Sequence, residues 1–210
     1  MLTTHNVSRL TIFVICLVIL LPTMLSAVSN GALLFLLIEP GSKPGSLGKA
    51  FVAQADDAFA GYWNPGAMAF NRKTQIALMH TNWFGSVEGI DDMYYEYLGW
   101  NQYFDEIGNI GASVTYMTYG EQQEIDGEGV LLGTFTSYEL AFAMHYGYQL
   151  FEKLGLGMSF KFIVSDLAPP DAAGVATNQR GRGFAWGFDL AMQYRDLLID
   201  NLDFGWTIQN

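Results

Sequence analysis

The sequence predicts an all-β fold, an antiparallel up-and-down transmembrane β-barrel, incomplete at about seven strands, with an N-terminal hatch after a signal peptide. Three observations carry that reading. Half of the 210 residues are hydrophobic and only 15% are charged, below the quarter or so found in soluble domains. No stretch after residue 40 stays apolar for the ~20 residues of a membrane helix, so the apolar residues are dispersed, as in a wall whose every second side chain meets lipid. From residue 74 large and small side chains alternate with period two, over segments of roughly 10 to 12 residues. That length suits a tilted bilayer crossing better than a strand of a soluble sheet. A β-sandwich with a rich core is the competing fold on composition alone.

Residues 1–29 read as a secretory signal. Arg9 supplies the positive charge, Leu10 to Leu21 the apolar core, Pro22 the break, and Ala27-Val28-Ser29 the small residues of a cleavage site. The apolar run is too short for a membrane anchor, so the mature chain is expected to begin near Asn30. Cleavage removes Cys16, the only cysteine, and with it disulfides, thiol catalysis and thiolate metal sites. It also removes Arg9, leaving 9 basic residues against 21 acidic. That balance argues against a nucleic-acid partner and provides no polybasic patch for anionic lipid.

Residues 30–73 form the expected hatch. Gly31 to Ile38 is apolar, and Glu39-Pro40-Gly41-Ser42-Lys43-Pro44-Gly45 is dense in breakers. A short amphipathic stretch runs from Ala50 to Ala60, and Trp63-Asn64-Pro65-Gly66 is turn-like. The partial barrel occupies 74–210. Its clearest strand, Ser137 to Tyr148, sets Tyr138, Leu140, Phe142, Met144, Tyr146 and Tyr148 against Ser137, Glu139, Ala141, Ala143, His145 and Gly147. Successive strand side chains point to opposite faces, so one face is large and apolar, the other small or polar. The pattern returns at 154–165, at 184–195 and from Leu202 to Gln209. Weaker versions lie at 74–83, about 92–100 and 108–118. Aromatic residues near strand ends (Trp83, Trp100, Tyr116, Tyr138, Tyr148, Tyr194) suit the headgroup girdles of a membrane barrel.

Connections at 101–107, 149–153 and 196–201 are short, whereas 119–134 and 166–183 are long and acidic or rich in Pro and Gly. Short turns belong on the periplasmic side and long loops outside; the brief 84–91 connection fits this parity least well. About seven strands is an odd number, and single-chain bacterial barrels close with an even one, so the sequence is expected to be a fragment.

Catalytic patterns are absent from the reading. There is no Gly-x-Ser-x-Gly elbow and no phosphate loop, and the carboxylates cluster at 88–106 and 121–128 in expected connections. His80 and His145 are far apart without ligand spacing, so no metal, no cofactor and no enzyme activity are expected. The polar residues of the inner face are Glu139, His145, Lys161, Asp189 and Arg195. A hydrogen-bonded His145–Glu139 pair and cross-strand pairs among Glu139, Lys161, Asp189 and Arg195 are anticipated. Small residues elsewhere on that face leave room for a plug or ligand, and the N-terminal unit is expected to occupy the lumen and to gate it.

Several separated segments resemble a known family. Phe35-Leu36-Leu37-Ile38-Glu39-Pro40-Gly41, Gly48-Lys49-Ala50-Phe51-Val52-Ala53, Ala55-Asp56-Asp57-Ala58 and Tyr62-Trp63-Asn64-Pro65 are similar to the start of PorV/PorQ-type outer-membrane proteins, within the wider FadL-like barrel group. Gly111-Ala112-Ser113, Thr115-Tyr116, Gly120-Glu121, Gly133-Thr134-Phe135 and Ser165-Asp166-Leu167-Ala168 continue the likeness in order. Gly66 stands where the pattern has Ala. The resemblance implies a barrel of about fourteen strands with a hatch, marked by Asp56, Asp57, Asn64 and Pro65, in the bacterial outer membrane. It further implies a protein-transport role in type IX secretion. The partners would be outer-membrane lipid, the C-terminal domains of secreted cargo and a PorU-type sortase, with cargo shuttled to the cell-surface attachment machinery. The alternative that the resemblance leaves open is a FadL-like channel for hydrophobic compounds.

Overall fold

The computed structural model describes residues 33–84, 92–168 and 181–209. The expected signal segment, most of the 84–91 connection and most of the 166–183 connection lie outside the described residues. Seven strands follow one another: β1 (Gln75–Asn82), β2 (Met93–Phe104), β3 (Gly108–Ile125), β4 (Leu131–Phe151), β5 (Leu154–Ala168), β6 (Gly181–Tyr194) and β7 (Phe204–Ile208). They form one antiparallel sheet in sequence order, β1 to β7. This is the up-and-down meander that the alternating pattern predicts. The sheet curls, because residues 33–73 bond to β2, β6 and β7 at once: Asn101 reaches the Asp57 carbonyl, Asn64 that of Met192, and Gln209 that of Tyr62.

The two faces are chemically distinct. On the outer face of β4–β6, Phe142, Met144, Met158, Phe160, Phe184, Trp186 and Phe188 are exposed. Rings stack across strands there, Phe160 on Trp186 at 5.2 Å and Phe162 on Phe184 at 6.1 Å, as cross-strand aromatic pairs do. Exposed large apolar residues in an unbroken field of this size suit lipid as the neighbour. The field has edges. At one end Tyr94, Tyr116 and Tyr138 form a ladder across β2, β3 and β4, with centroids 6.1 and 6.0 Å apart. At the other, Tyr146 stacks on Tyr148 at 6.5 Å. Ten residues separate Tyr138 from Tyr148 along β4; at ~3.3 Å rise and a usual barrel tilt this spans about 25 Å, the height of an outer-membrane apolar band.

Beyond the tyrosine ladder the strands do not stop, and here the expected long loop at 119–134 is corrected. β3 continues to Ile125 and β4 starts at Leu131, so only 126–130 form the turn. The expected loop is instead a two-stranded arm. A bulge between Thr118 and Glu121 sets it off, at Gly120 with φ +73°, and the Asp92 carboxylate accepts the Glu121 N–H at 2.6 Å. Both faces of the arm are largely polar (Glu121 and Gln123 with Thr134 and Thr136, Gln122 and Glu124 with Phe135), which is why it shows no apolar alternation. A smaller correction concerns the last strand. Leu202 belongs to the β6–β7 turn, where its carbonyl accepts the Leu197 N–H, and β7 begins at Phe204.

Residues 33–73 lie on the inner face and form one compact unit with the strands, Leu33–Asn210. They comprise a 3-10 turn at Leu34–Leu37 and three short helices, α1 (Ser42–Ser46), α2 (Ala60–Trp63) and α3 (Pro65–Met68). The wall is glycine-rich where they approach. A Cβ on Gly147 would sit 2.6 Å from the Pro65 carbonyl oxygen, and one on Gly205 2.5 Å from that of Val52. Phe35 joins Tyr95, Tyr97, Met117 and Ile163 in one apolar cluster; Phe51, Trp63 and Met68 build a second within the N-terminal segment itself.

Candidate functional site

The site built by these elements is the contact between the N-terminal segment and the inner wall. The segment has little regular structure, so its backbone groups need partners other than their own. The wall supplies them as side-chain amides. Asn101 Nδ2 donates to the Asp57 carbonyl at 3.3 Å, Asn109 Nδ2 to Asn71 at 2.9 Å, Gln193 Nε2 to Ala53 at 2.8 Å, and Gln209 Nε2 to Tyr62 at 2.5 Å. Tyr95 adds its hydroxyl to the Ile38 carbonyl at 3.0 Å. Within the segment, Trp63 Nε1 donates to Pro40 at 2.9 Å and the Tyr62 hydroxyl to Leu36 at 2.8 Å. Burial pushes the Tyr62 phenol up, keeping it a donor.

Asn64 and Pro65, picked out as a motif in the sequence, sit at the junction of α2 and α3. Asn64 caps α3, its Oδ1 accepting the Gly66 N–H at 2.9 Å, and Pro65 takes the first helical position, where no N–H is required. The other half of the Asn64 amide donates outward, to Val52 at 2.7 Å and to Met192 of β6 at 3.2 Å. One fully buried amide therefore caps a helix and ties it both to its own segment and to the wall. Asp56 and Asp57 divide differently. Asp56 is exposed and pairs with Lys43 at 2.5 Å. Asp57 is half-buried, its Oδ1 accepting the Phe59 N–H at 2.9 Å, and burial raises its carboxyl above the ordinary aspartate value.

The inner-face residues singled out earlier are placed as follows. His145 does not bond to Glu139, contrary to expectation. The two are six residues apart on one strand, about 20 Å at ~3.3 Å rise. Instead His145 lies between two hydroxyls, Ser113 Oγ at 2.9 Å on Nε2 and Ser159 Oγ at 2.7 Å on Nδ1. Gly61 of α2 packs on this ring. Glu139 is held by hydroxyls as well, accepting from Tyr119 at 2.5 Å and Ser165 at 3.0 Å, so its anticipated pairing with a cation does not occur. Lys161 and Asp189 do form a cross-strand pair at 2.8 Å. Arg195 falls just beyond β6. It makes no ion pair with a described residue, and its guanidinium lies over the Phe70 ring at 4.0 Å.

Beneath Tyr62 the Ser113, His145, Lys161 and Asp189 side chains surround a space of about 30 Å³, enough for water and too small for a solute. The wall amides Asn101, Asn109, Gln193 and Gln209 were missed in the sequence, because an uncharged amide on a strand shows no partner pattern. Their inward parity is the one signal that marks them. Chemically the arrangement is a clamp: neutral donors on the wall, backbone acceptors on the plug, and glycines that let the two approach.

No curated protein matches the chain at a significant level. The family described as Type IX secretion system protein PorV matches residues 24–208, nearly the whole sequence and both halves of the clamp. The chain belongs to the PorV family of the type IX secretion system.

Proposed function

We propose that this protein resides in the bacterial outer membrane, binds the C-terminal signal domains of secreted cargo on its outer side, and passes them to a PorU-type sortase for attachment at the cell surface. The carrying observation is the family match across residues 24–208. The clamp supports a docking role over a conduit, since Asn101, Asn109, Gln193 and Gln209 of the wall all donate to the backbone of the N-terminal segment. A segment so held acts as a fixed hatch. The β3–β4 arm is the element we assign to cargo contact. It rises past the tyrosine ladder, carries Glu121, Glu124, Asp126 and Glu128, and leaves Val130, Leu131 and Leu132 exposed at its tip.

The FadL-like alternative needs the hatch to move and an apolar path to open beside it. The space under Tyr62 is instead lined by a lysine, an aspartate and a histidine. The test is co-purification of the full-length protein from detergent-solubilised outer membranes with cargo C-terminal domains. Recovery of cargo and sortase, lost when 126–130 and the flanking arm are shortened, is the expected result. Failure to recover either with the intact protein would count against the proposal.

A further inference from the structure

At the end of the wall bearing the short turns, a cleft of about 360 Å³ opens between residues 53–56 and the ends of β6 and β7. Its polar lining is Lys43, Gln54, Asp56, Gln193, Arg195 and Asp203. Lys43 and Asp56 neutralise each other at 2.5 Å. Arg195 and Asp203 both face the cleft, yet neither forms an ion pair with a described residue. Asp203 takes only amide donors, the Asp196 N–H at 3.1 Å and Gln193 Nε2 at 3.5 Å.

Hydrogen bonding is incomplete at the same place. Gln193 is 2% exposed and spends its Nε2 on the Ala53 carbonyl, but its Oε1 has no partner. Buried Arg195 Nε, which lines the same cleft, is likewise unpartnered. Two of the five such atoms among the described residues thus lie at this cleft, whereas the amide donors of the clamp are all engaged. Buried polar groups are rarely left open, so the missing partner has a definable chemistry. It brings an anionic acceptor to Arg195, which a guanidinium favours, and a cationic or N–H donor to Asp203 and Gln193 Oε1. Water can bridge to Gln193 but cannot neutralise a guanidinium and a carboxylate together. A ligand of a single charge would satisfy one and repel the other.

We propose that this cleft binds a small zwitterion, either a free α-amino acid or the terminus of a short peptide, bridging Arg195 and Asp203. The inference stands apart from the cargo reading, because it concerns the opposite end of the lumen from the arm. The test is isothermal titration calorimetry on the full-length protein in detergent micelles, with glycine, glycylglycine, succinate and putrescine as probes. Folding of each variant is checked by the heat-dependent gel shift of barrels. Saturable binding of glycine but not glycylglycine supports a free amino acid. Tighter binding of glycylglycine supports a peptide terminus. Arg195→Gln and Asp203→Asn are each expected to weaken that binding about tenfold or more. The proposal is overturned if neither zwitterion binds, if succinate or putrescine binds as tightly, or if folded Arg195→Gln protein binds unchanged.

Discussion

Gly61 of the hatch sits where only a hydrogen side chain fits: a Cβ there would stand 2.5 Å from Cδ2 of His145, on the wall 84 positions later. The imidazole cannot yield easily, being held by Ser113 on one ring nitrogen and Ser159 on the other. Hatch position and wall chemistry are set together at this contact.

Gly61→Ala is therefore expected to destabilise the protein by about 1–3 kcal/mol, the usual range for overpacking, with most of the loss recovered in the Gly61→Ala/His145→Ala double variant relative to His145→Ala alone. Urea unfolding of vesicle-reconstituted protein measures both. Equal losses in the two backgrounds would mean that the ring is not what Gly61 avoids.

Asn64 performs two jobs that substitution separates. Asn64→Ala removes the α3 cap and the donors to Val52 and Met192, and should cost about 1–2 kcal/mol. Asn64→Asp keeps an acceptor for the Gly66 N–H but sets a buried carboxylate oxygen against the Val52 and Met192 carbonyls, so it should cost as much as Asn64→Ala or more. Parent-like stability of Asn64→Asp would show that the cap alone matters and the tie to β6 does not. Protection of the hatch amides in hydrogen exchange reads the same difference locally.

The tyrosine ladder sets a depth scale on the outer wall. Phe142→Arg, four residues inside Tyr138, should cost about 2–4 kcal/mol, and Thr136→Arg, two residues beyond it on the same face, about 0–1 kcal/mol. Similar costs at both positions would remove the argument that lipid ends at Tyr138.

Asp57 gives a pH signature. Burial raises its carboxyl in the folded chain above the ordinary 3.8, so folding favours the protonated form, and the ionised form weakens the fold at neutral pH. That weakening is fully present above the folded pKa and fades as pH falls toward 3.8. Asp57→Asn retains the acceptor for the Phe59 N–H and should be more stable than the parent at pH 7, the gap closing on acidification. A gap that widens on acidification would contradict the sign.

How much of this was legible in the sequence depended on whether a residue's partner left a periodic trace. Phe142 against Ala143, or Trp186 against Gly187, declares a wall with two solvents, and the seven strands followed from it. The stretch 119–134 reads as a loop because both faces of the arm are polar, so Glu121-Gln122-Gln123-Glu124 shows no alternation. The clamp was hidden for a different reason. Asn101 and Asp57 are 44 residues apart, and an amide that bonds to a backbone carbonyl leaves no complementary residue to notice. Charge was the wrong guide to the inner face. Only Lys161 and Asp189 paired, while Glu139 and His145 turned to hydroxyls on neighbouring strands.

The central claim is that the hatch stays bonded to the wall while the protein works. Arg72 and Gln149 allow a direct test, since their exposed side chains meet across the contact between hatch and wall. Arg72→Cys/Gln149→Cys protein, bridged in the full-length chain by a short reducible bis-thiosulfonate, locks hatch to wall. The locked protein is expected to recover cargo C-terminal domains as well as the reduced form does. Loss of cargo recovery on bridging, regained on reduction, would show that the hatch must move and would contradict the claim.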